Sequence, residues 1–384
     1  MTARSQGGVL LFLPWVFDML GGVDVVVDRL WHGLERTHPG VGTIGVQDWH
    51  QSGVHTDADG RRFLHLNLPA PEAGASRWNP RYAITLLRRL PAARRLLAEH
   101  DIRVVNFHFP RGNVYPLALM KQLGLWRGRI VLSFHGSDVR EVDPRSPFWQ
   151  QIAAETDEVT ACSRALAGQV EALGLFKGAV RVVHNGIDCD KFVADDAPLP
   201  VAGRYILNVG NYVAGKAQDV LVDAFAQIAP AHPDLNLVCI GGTLDGTWLA
   251  GLRDKVAKLG LGERVVFLEN QPQKRVARLM RFATALAHAS RAESFGLVLI
   301  EAGVCGTPVV ATRVGGIPEI IPSQEFGVLV EAGDVAALAT ALDDLLRRPD
   351  EAAARAGRLQ TRVLNTFSVT AMTQGYLSVL SGQP

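Results

Sequence analysis

Only four cysteines occur in 384 residues, Cys162, Cys189, Cys239 and Cys305, and none forms a Cys-x-x-Cys pair. That excludes a disulfide-framed fold or a zinc ribbon and leaves reduced thiols, as in a cytoplasmic protein, as the expectation. Long apolar runs are also missing. The early run Val9–Leu13 is too short to span a bilayer, and no small-residue cleavage site follows it, so neither a membrane span nor a secretory leader is expected. Charge of one sign is absent too: 39 Lys+Arg against 38 Asp+Glu leave +1, no global field for nucleic acid. There are no internal repeats and no low-complexity tracts. What remains is ordinary soluble composition, 48% hydrophobic and 20% charged, in a chain long enough for two cores.

The pattern repeats strand, loop and helix. Val9–Leu13 reads as a strand, Gly21-Gly22 as a turn whose amides can meet an anion, and the next stretch as a helix. His108 and His135 each follow an apolar strand, where ligands meet doubly wound sheets; His135 opens His-Gly-Ser-Asp138. Residues 194–203, rich in Asp, Ala and Pro, have linker composition. Beyond them a strand ends at Gly210, followed by Asn211, a loop to Lys216 and an amphipathic helix.

The most informative stretch is 286–322. A short strand ends at His288, a turn holds Glu293, Ser294, Phe295 and Gly296, and a helix follows from there to 302–304 with Ser294 as its expected cap. Glu301 lies eight residues beyond Glu293. Two carboxylates that far apart suit the two ends of a long polyhydroxyl ligand rather than one shared proton or metal. Between them the amides of Phe295, Gly296 and Leu297 suit phosphate.

Glu293-x7-Glu301 with Phe295-Gly296, Gly306-x-Pro308-Val-Val and Gly315-Gly316-x-Pro318-Glu319 resembles the donor site of retaining family 4 glycosyltransferases. The resemblance implies a GT-B fold, α/β, with two Rossmann-like doubly wound domains facing across a cleft. Its division here is 1–193 on the acceptor side, a linker at 194–203, 204–365 on the donor side and a terminal helix, 366–384, crossing back. It further implies Glu293 on the sugar hydroxyls, Glu301 on the ribose, His135 on the donor sugar, and Lys216 with Asn211 and the Gly21, Gly22 and Gly210 turns near the diphosphate, together with Ser294, Phe295, Gly296 and Leu297. Where the family has Gly-Arg and Lys-Gly, this chain has Asn211 and Ala217, one charge-assisted contact fewer. The co-substrate is a nucleotide-diphosphate sugar, UDP or GDP, with no separate cofactor, and the acceptor a glycan, a lipid-linked molecule or a small molecule.

Other readings stay open: a sugar-nucleotide epimerase, for which Asp138, Glu141 and Asp143 are the available acids, a phosphorylase, or a non-catalytic binder. No metal is expected. Asp57-x-Asp59 lies in a polar loop, and Asp188-x-Asp190 is accounted for by an Asn-Gly-Ile-Asp turn. Residues 77–97 carry six arginines and no acid among leucines, flanked by Trp78 and Tyr82. They read either as a helix docking on an anionic membrane surface, with the protein peripheral on its cytoplasmic face, or as a solvated helix capping the sheet, and Pro91 is expected to break or kink it.

Overall fold

The computed structural model describes residues 8–17, 21–50, 52–57, 60–71, 79–189, 198–199, 203–244 and 246–382. The chain forms two compact units, Met1–Gly186 with Val369–Pro384, and Ile187–Ser368. Most of the linker-like stretch 194–203, along with Arg77, Trp78, Asp59 and Asp190, lies outside the described residues.

The first unit runs β1 (Gly8–Leu13), α1 (Gly22–Thr37), β2 (Gly42–Gln47), β3 (Gly53–Thr56), β4 (Arg62–Leu66), α2 (Pro80–Glu99), β5 (Ile102–His108) and α3 (Tyr115–Gln122). It continues with β6 (Arg129–Phe134), α4 (Pro147–Glu155), β7 (Glu158–Ala161), α5 (Arg164–Glu171) and β8 (Arg181–Val182). The sheet order is β3-β4-β2-β1-β5-β6-β7-β8, parallel except for the β3–β4 hairpin. Strands such as Leu10–Leu13 are wholly buried, as apolar strands covered on both faces must be. Order reverses between β1 and β5, so the Gly21 turn and His108 stand at the point where such sheets bind ligands.

The second unit runs β9 (Arg204–Val209), α6 (Gln218–Ile228), β10 (Leu235–Gly241), α7 (Gly246–Lys258), β11 (Val265–Glu269), α8 (Gln273–Phe282) and β12 (Ala285–His288). Then come α9 (Leu297–Cys305), β13 (Val309–Thr312), α10 (Ile317–Ile320), β14 (Val328–Val330), α11 (Val335–Arg347) and α12 (Pro349–Thr366). Its all-parallel order is β11-β10-β9-β12-β13-β14. This is the Rossmann order, with its reversal between β9 and β12.

The last helix, α13 (Val369–Ser381), returns to the first unit. It begins after Thr366, which belongs to α12. Gly33 on α1 allows the approach: a Cβ there would stand 2.0 Å from Thr373 Oγ1.

Three local expectations need correction. Pro91 does not break α2, which is continuous from Pro80 to Glu99. The amide that proline lacks would have bonded the carbonyl of Leu87, a residue 75% exposed, where water can serve instead. Tyr82 does not face a lipid boundary either. Its hydroxyl donates to the Pro69 carbonyl at 2.9 Å, and its ring packs edge-on against Phe148. Ser294 does not cap α9. Gly296 takes that place in left-handed backbone, φ 106°, with no side-chain cap bond. Among the described residues no helix is long and apolar enough to cross a membrane.

Candidate active site

In the second unit the loops leaving β9 and β12 meet at the reversal point. Gly210 and Asn211 follow β9, and a tight turn, 214–216, delivers Lys216. His288 ends β12 with its side chain buried, and Glu293 follows in the loop. Lys216 Nζ lies 2.6 Å from Glu293 Oε2, and His288 Nε2 lies 3.2 Å from the same oxygen. Oε1 has no partner among the described residues and is left to accept from a ligand. Burial works against the charge on Glu293, but the bonds from His288 and Lys216 outweigh it and hold the carboxyl down to about 2.

The scaffold under this pair is backbone-tight. Gly241 is needed where a Cβ would sit 2.2 Å from the Gly210 carbonyl. Asn211 Oδ1 accepts from the Gly242 amide at 3.1 Å, tying the β9 exit to the β10 exit. Gln218 Nε2 donates to the carbonyls of Gly210 and Asn211 at 3.2 and 3.1 Å. Arg291 donates through its amide to Gly215 at 2.9 Å and pairs with Asp219 at 2.7 Å, steadying the Lys216 turn. Ala217 adopts φ 51°, ψ 40°, the left-handed region that favours glycine. The Lys-Gly pattern therefore has a conformational cause at this position, and here an alanine bears the strain.

Helix α9 begins at Leu297, so its first amides have no carbonyl ahead of them within the helix. Phe295 is core rather than lining: it is 2% exposed and packs edge-on against Phe367. Glu301 is the fifth of nine residues of α9, mid-helix rather than near its end, and partly exposed.

In the first unit Gly21 caps α1 in extended backbone, with Gly22 as the first helical residue. His135 follows β6. Asp138 clamps its loop, accepting from the amides of His135 at 2.8 Å, Gly136 at 2.6 Å and Val139 at 3.2 Å. His108 is fully buried with Nδ1 3.0 Å from His135 Nε2, the two rings stacked. Burial pushes His135 down to about 4, and burial and His135 together push His108 well below the usual range, so both rings are neutral. Glu141 pairs with Arg111 at 3.0 Å, and Asp143 accepts from the Arg145 amide at 3.0 Å. Each of the three acids available to an epimerase thus has a hydrogen-bond or ion-pair partner. Phe109 stands at φ 59°, strained for a bulky side chain, with Trp15 5.1 Å away edge-on and the Arg111 guanidinium over both rings. Asp57 accepts from the Arg61 amide at 2.8 Å.

The structure brings Glu293, Lys216, Gly210 and Asn211 together. His288, placed directly against Glu293, carries no role in the sequence reading; at the end of Ala-Leu-Ala-His it passes as one more buried strand residue.

Two family models match the chain: Glycosyltransferase Family 4 over residues 20–191 and Glycosyl transferases group 1 over 193–360. The GDP-mannose-dependent alpha-(1-6)-phosphatidylinositol monomannoside mannosyltransferase of Mycolicibacterium smegmatis is 33% identical over 280 residues, 68% of this chain and 72% of that protein. The D-inositol 3-phosphate glycosyltransferase of Mycobacterium bovis is 36% identical over 232 residues, 58% of this chain but only 47% of that protein. Among solved structures, HepE of Anabaena in complex with UDP and glucose superposes with a TM-score of 0.77 at 20% identity, over 98% of this chain and 99% of that one. Sucrose-phosphate synthase of Thermosynechococcus elongatus gives 0.75 at 22%, over 98% and 100%. With two Rossmann-like units, and with the M. smegmatis mannosyltransferase matched over 72% of its length, the chain belongs to the family 4 glycosyltransferases of GT-B fold.

Proposed function

We propose that the chain transfers a hexosyl group from a nucleoside-diphosphate sugar, with retention of configuration and without a metal ion, to a lipid-linked or phosphorylated polyol acceptor. The observation that carries this reading is Glu293, ionised and held by Lys216 and His288 with one oxygen open. A carboxylate tied in this way suits a grip on sugar hydroxyls better than a nucleophile's role, so transfer proceeds on one face while the diphosphate departs. Lys216 and the Leu297 amide supply the charge stabilisation that a divalent ion would otherwise give. Of the two expected nucleotides GDP is favoured, because the M. smegmatis relative is named for GDP-mannose. The Trp15, Phe109 and Arg111 group suits the acceptor side, aromatic faces for a polyol ring and a guanidinium for phosphate.

Incubation with GDP-mannose and UDP-sugars, in the presence of EDTA, tests the reading. GDP release and a product with the donor's anomeric configuration are expected; epimerised donor without nucleotide release would refute it. The two carboxylates divide the work. Glu293→Gln should lower turnover at least a hundredfold and leave GDP affinity within a few fold. Glu301→Ala should weaken GDP binding about tenfold, one charge-assisted bond to the ribose. Equal losses of GDP affinity would sink the division.

The chain is read as cytoplasmic and peripheral, docked through α2 on anionic lipid. Leu86, Ala93, Leu96 and Leu97 hold this helix on the sheet. Ile84, Leu87, Arg88, Pro91, Arg94 and Arg95, at helical spacing, form the side turned away, with Ile84 49% and Leu87 75% exposed. Trp49, 62% exposed, belongs to the loop that Arg89 ties to α2 through the His50 carbonyl at 2.9 Å. At about 1 kcal/mol per arginine near such a surface, Arg88→Glu with Arg94→Glu should weaken binding to phosphatidylserine-containing vesicles at least tenfold. Donor hydrolysis should be unaffected. Wild-type protein that ignores such vesicles at low salt would rule the docking out.

A further inference from the structure

Four polar side chains cross the first unit's sheet inside its core. Asn106 and His108 alternate onto one face of β5, and register places Ser133 of β6 beside His108 and Thr160 of β7 beside Ser133. All four are at most 1% exposed. Buried polar groups of this kind must bond one another, and these do. Thr160 Oγ1 donates to Ser133 Oγ at 2.8 Å, and Ser133 Oγ donates to Asn106 Oδ1 at 2.8 Å. Asn106 Nδ2 meets His108 Nε2 at 3.0 Å, and His108 Nδ1 meets His135 Nε2 at 3.0 Å. Tyr376 of α13 packs against the group, with its ring 5.7 Å from that of His108.

The polarity of the chain follows from its start. With Asn106 Oδ1 taken by the Ser133 hydroxyl, its Nδ2 can only donate, so His108 Nε2 is an acceptor. A neutral imidazole then carries its proton on Nδ1 and donates it to His135 Nε2. The His135 proton is thereby confined to Nδ1, a nitrogen with no partner among the described residues. Free imidazole side chains prefer the opposite tautomer, so the relay works against that preference.

We propose that His108 is a positioning residue that fixes His135 as the Nδ1–H tautomer, so that the ring offers a hydrogen-bond donor without a charge to a hydroxyl of the bound sugar, an assignment that rests on the reading of His135 as a sugar-contacting residue. A donor of this kind orients the sugar without placing a positive charge where the oxocarbenium-like centre develops. Burial that keeps both rings neutral well below pH 6 serves the same end.

Long-range proton–nitrogen NMR on full-length protein labelled with 15N-histidine reads the tautomer directly, with the His135 signals assigned by their loss in His135→Gln. At pH 7 wild-type His135 should carry its proton on Nδ1. His108→Leu should move it to Nε2 and lower turnover about tenfold, the worth of one neutral hydrogen bond. His108→Asn, whose amide nitrogen takes the place of Nδ1, should keep the proton on His135 Nδ1 and recover most of that loss. Wild-type His135 protonated at Nε2, or one tautomer in wild type and both variants, overturns the relay, and the wild-type measurement stands even if His108→Leu fails to fold. A tautomer that moves as expected while turnover stays constant upholds the relay and removes His135 from the sugar instead.

Discussion

Lys216→Ala is expected to lower turnover about a thousandfold, with GDP affinity falling by no more than tenfold. Removing one neutral donor that stabilises developing charge costs between a hundred- and a thousandfold in other enzymes, and in the proposed function the donor is a full cation serving a departing diphosphate. The position of Lys216 is not incidental: a strained Ala217, Arg291 and the Gly241–Gly210 approach all hold its turn. The variant also loses one of the two groups that keep Glu293 charged. From the ordinary 4.5 down to about 2, at about 1.4 kcal/mol per pH unit, that depression is worth roughly 3 kcal/mol. A carboxyl depressed in the folded state stabilises it fully above pH 4.5 and loses that contribution as pH falls towards 2. Lys216→Ala forfeits part of it, so its acid unfolding midpoint should move to higher pH, while stability at pH 2 stays close to wild type. Turnover within tenfold of wild type would mean that Lys216 does not meet the diphosphate.

What the sequence disclosed and what it hid differ in physical kind. The turns around Glu293 were legible because they answer to backbone geometry: Gly306 ends α9 at φ 70°, and Pro308 leads directly into β13. Such demands restrict the residue type at one position, whatever the rest of the chain does. His288 was invisible because its meaning depends on a partner five residues away across a turn. His108 presented itself as a strand-end histidine, yet its role depends on Asn106, Ser133 and Thr160, whose alignment across three strands is a matter of register. Ser294 suited a cap by residue type, but the left-handed Gly296 takes the helix start. Pro91 misled for the converse reason. Its penalty is real only where the orphaned carbonyl is dry, and no local rule says which face of α2 meets water.

Gly315→Ala is the substitution expected to damage fold and chemistry together. Gly315 adopts φ 50°, and a Cβ there would fall 1.6 Å from the carbonyl oxygen of Glu293 and 2.8 Å from its carbonyl carbon. Both are backbone atoms, so no rotamer change relieves the clash and either the 313–317 turn or the Glu293 loop must move. The turn is held at both ends, by Arg313 N to Val330 O at 2.8 Å and Ile317 N to Val314 O at 3.1 Å, and the Gly316 amide itself donates to Glu293 O at 3.3 Å. The Glu293 loop is expected to yield by an ångström or more. A displacement of that size at a positioning group costs about a hundredfold in rate. Overpacking and left-handed strain together should cost about 2–4 kcal/mol of stability. Gly333→Ala separates the two contributions, because Gly333 has φ 84° with nothing within 4 Å of its would-be Cβ. That control should lose only about 1 kcal/mol and retain wild-type turnover. If Gly315→Ala unfolds and turns over like the control, the contact between the Gly315–Gly316 turn and Glu293 does not position the carboxylate, and the loop must hold Glu293 through Lys216 and His288 alone.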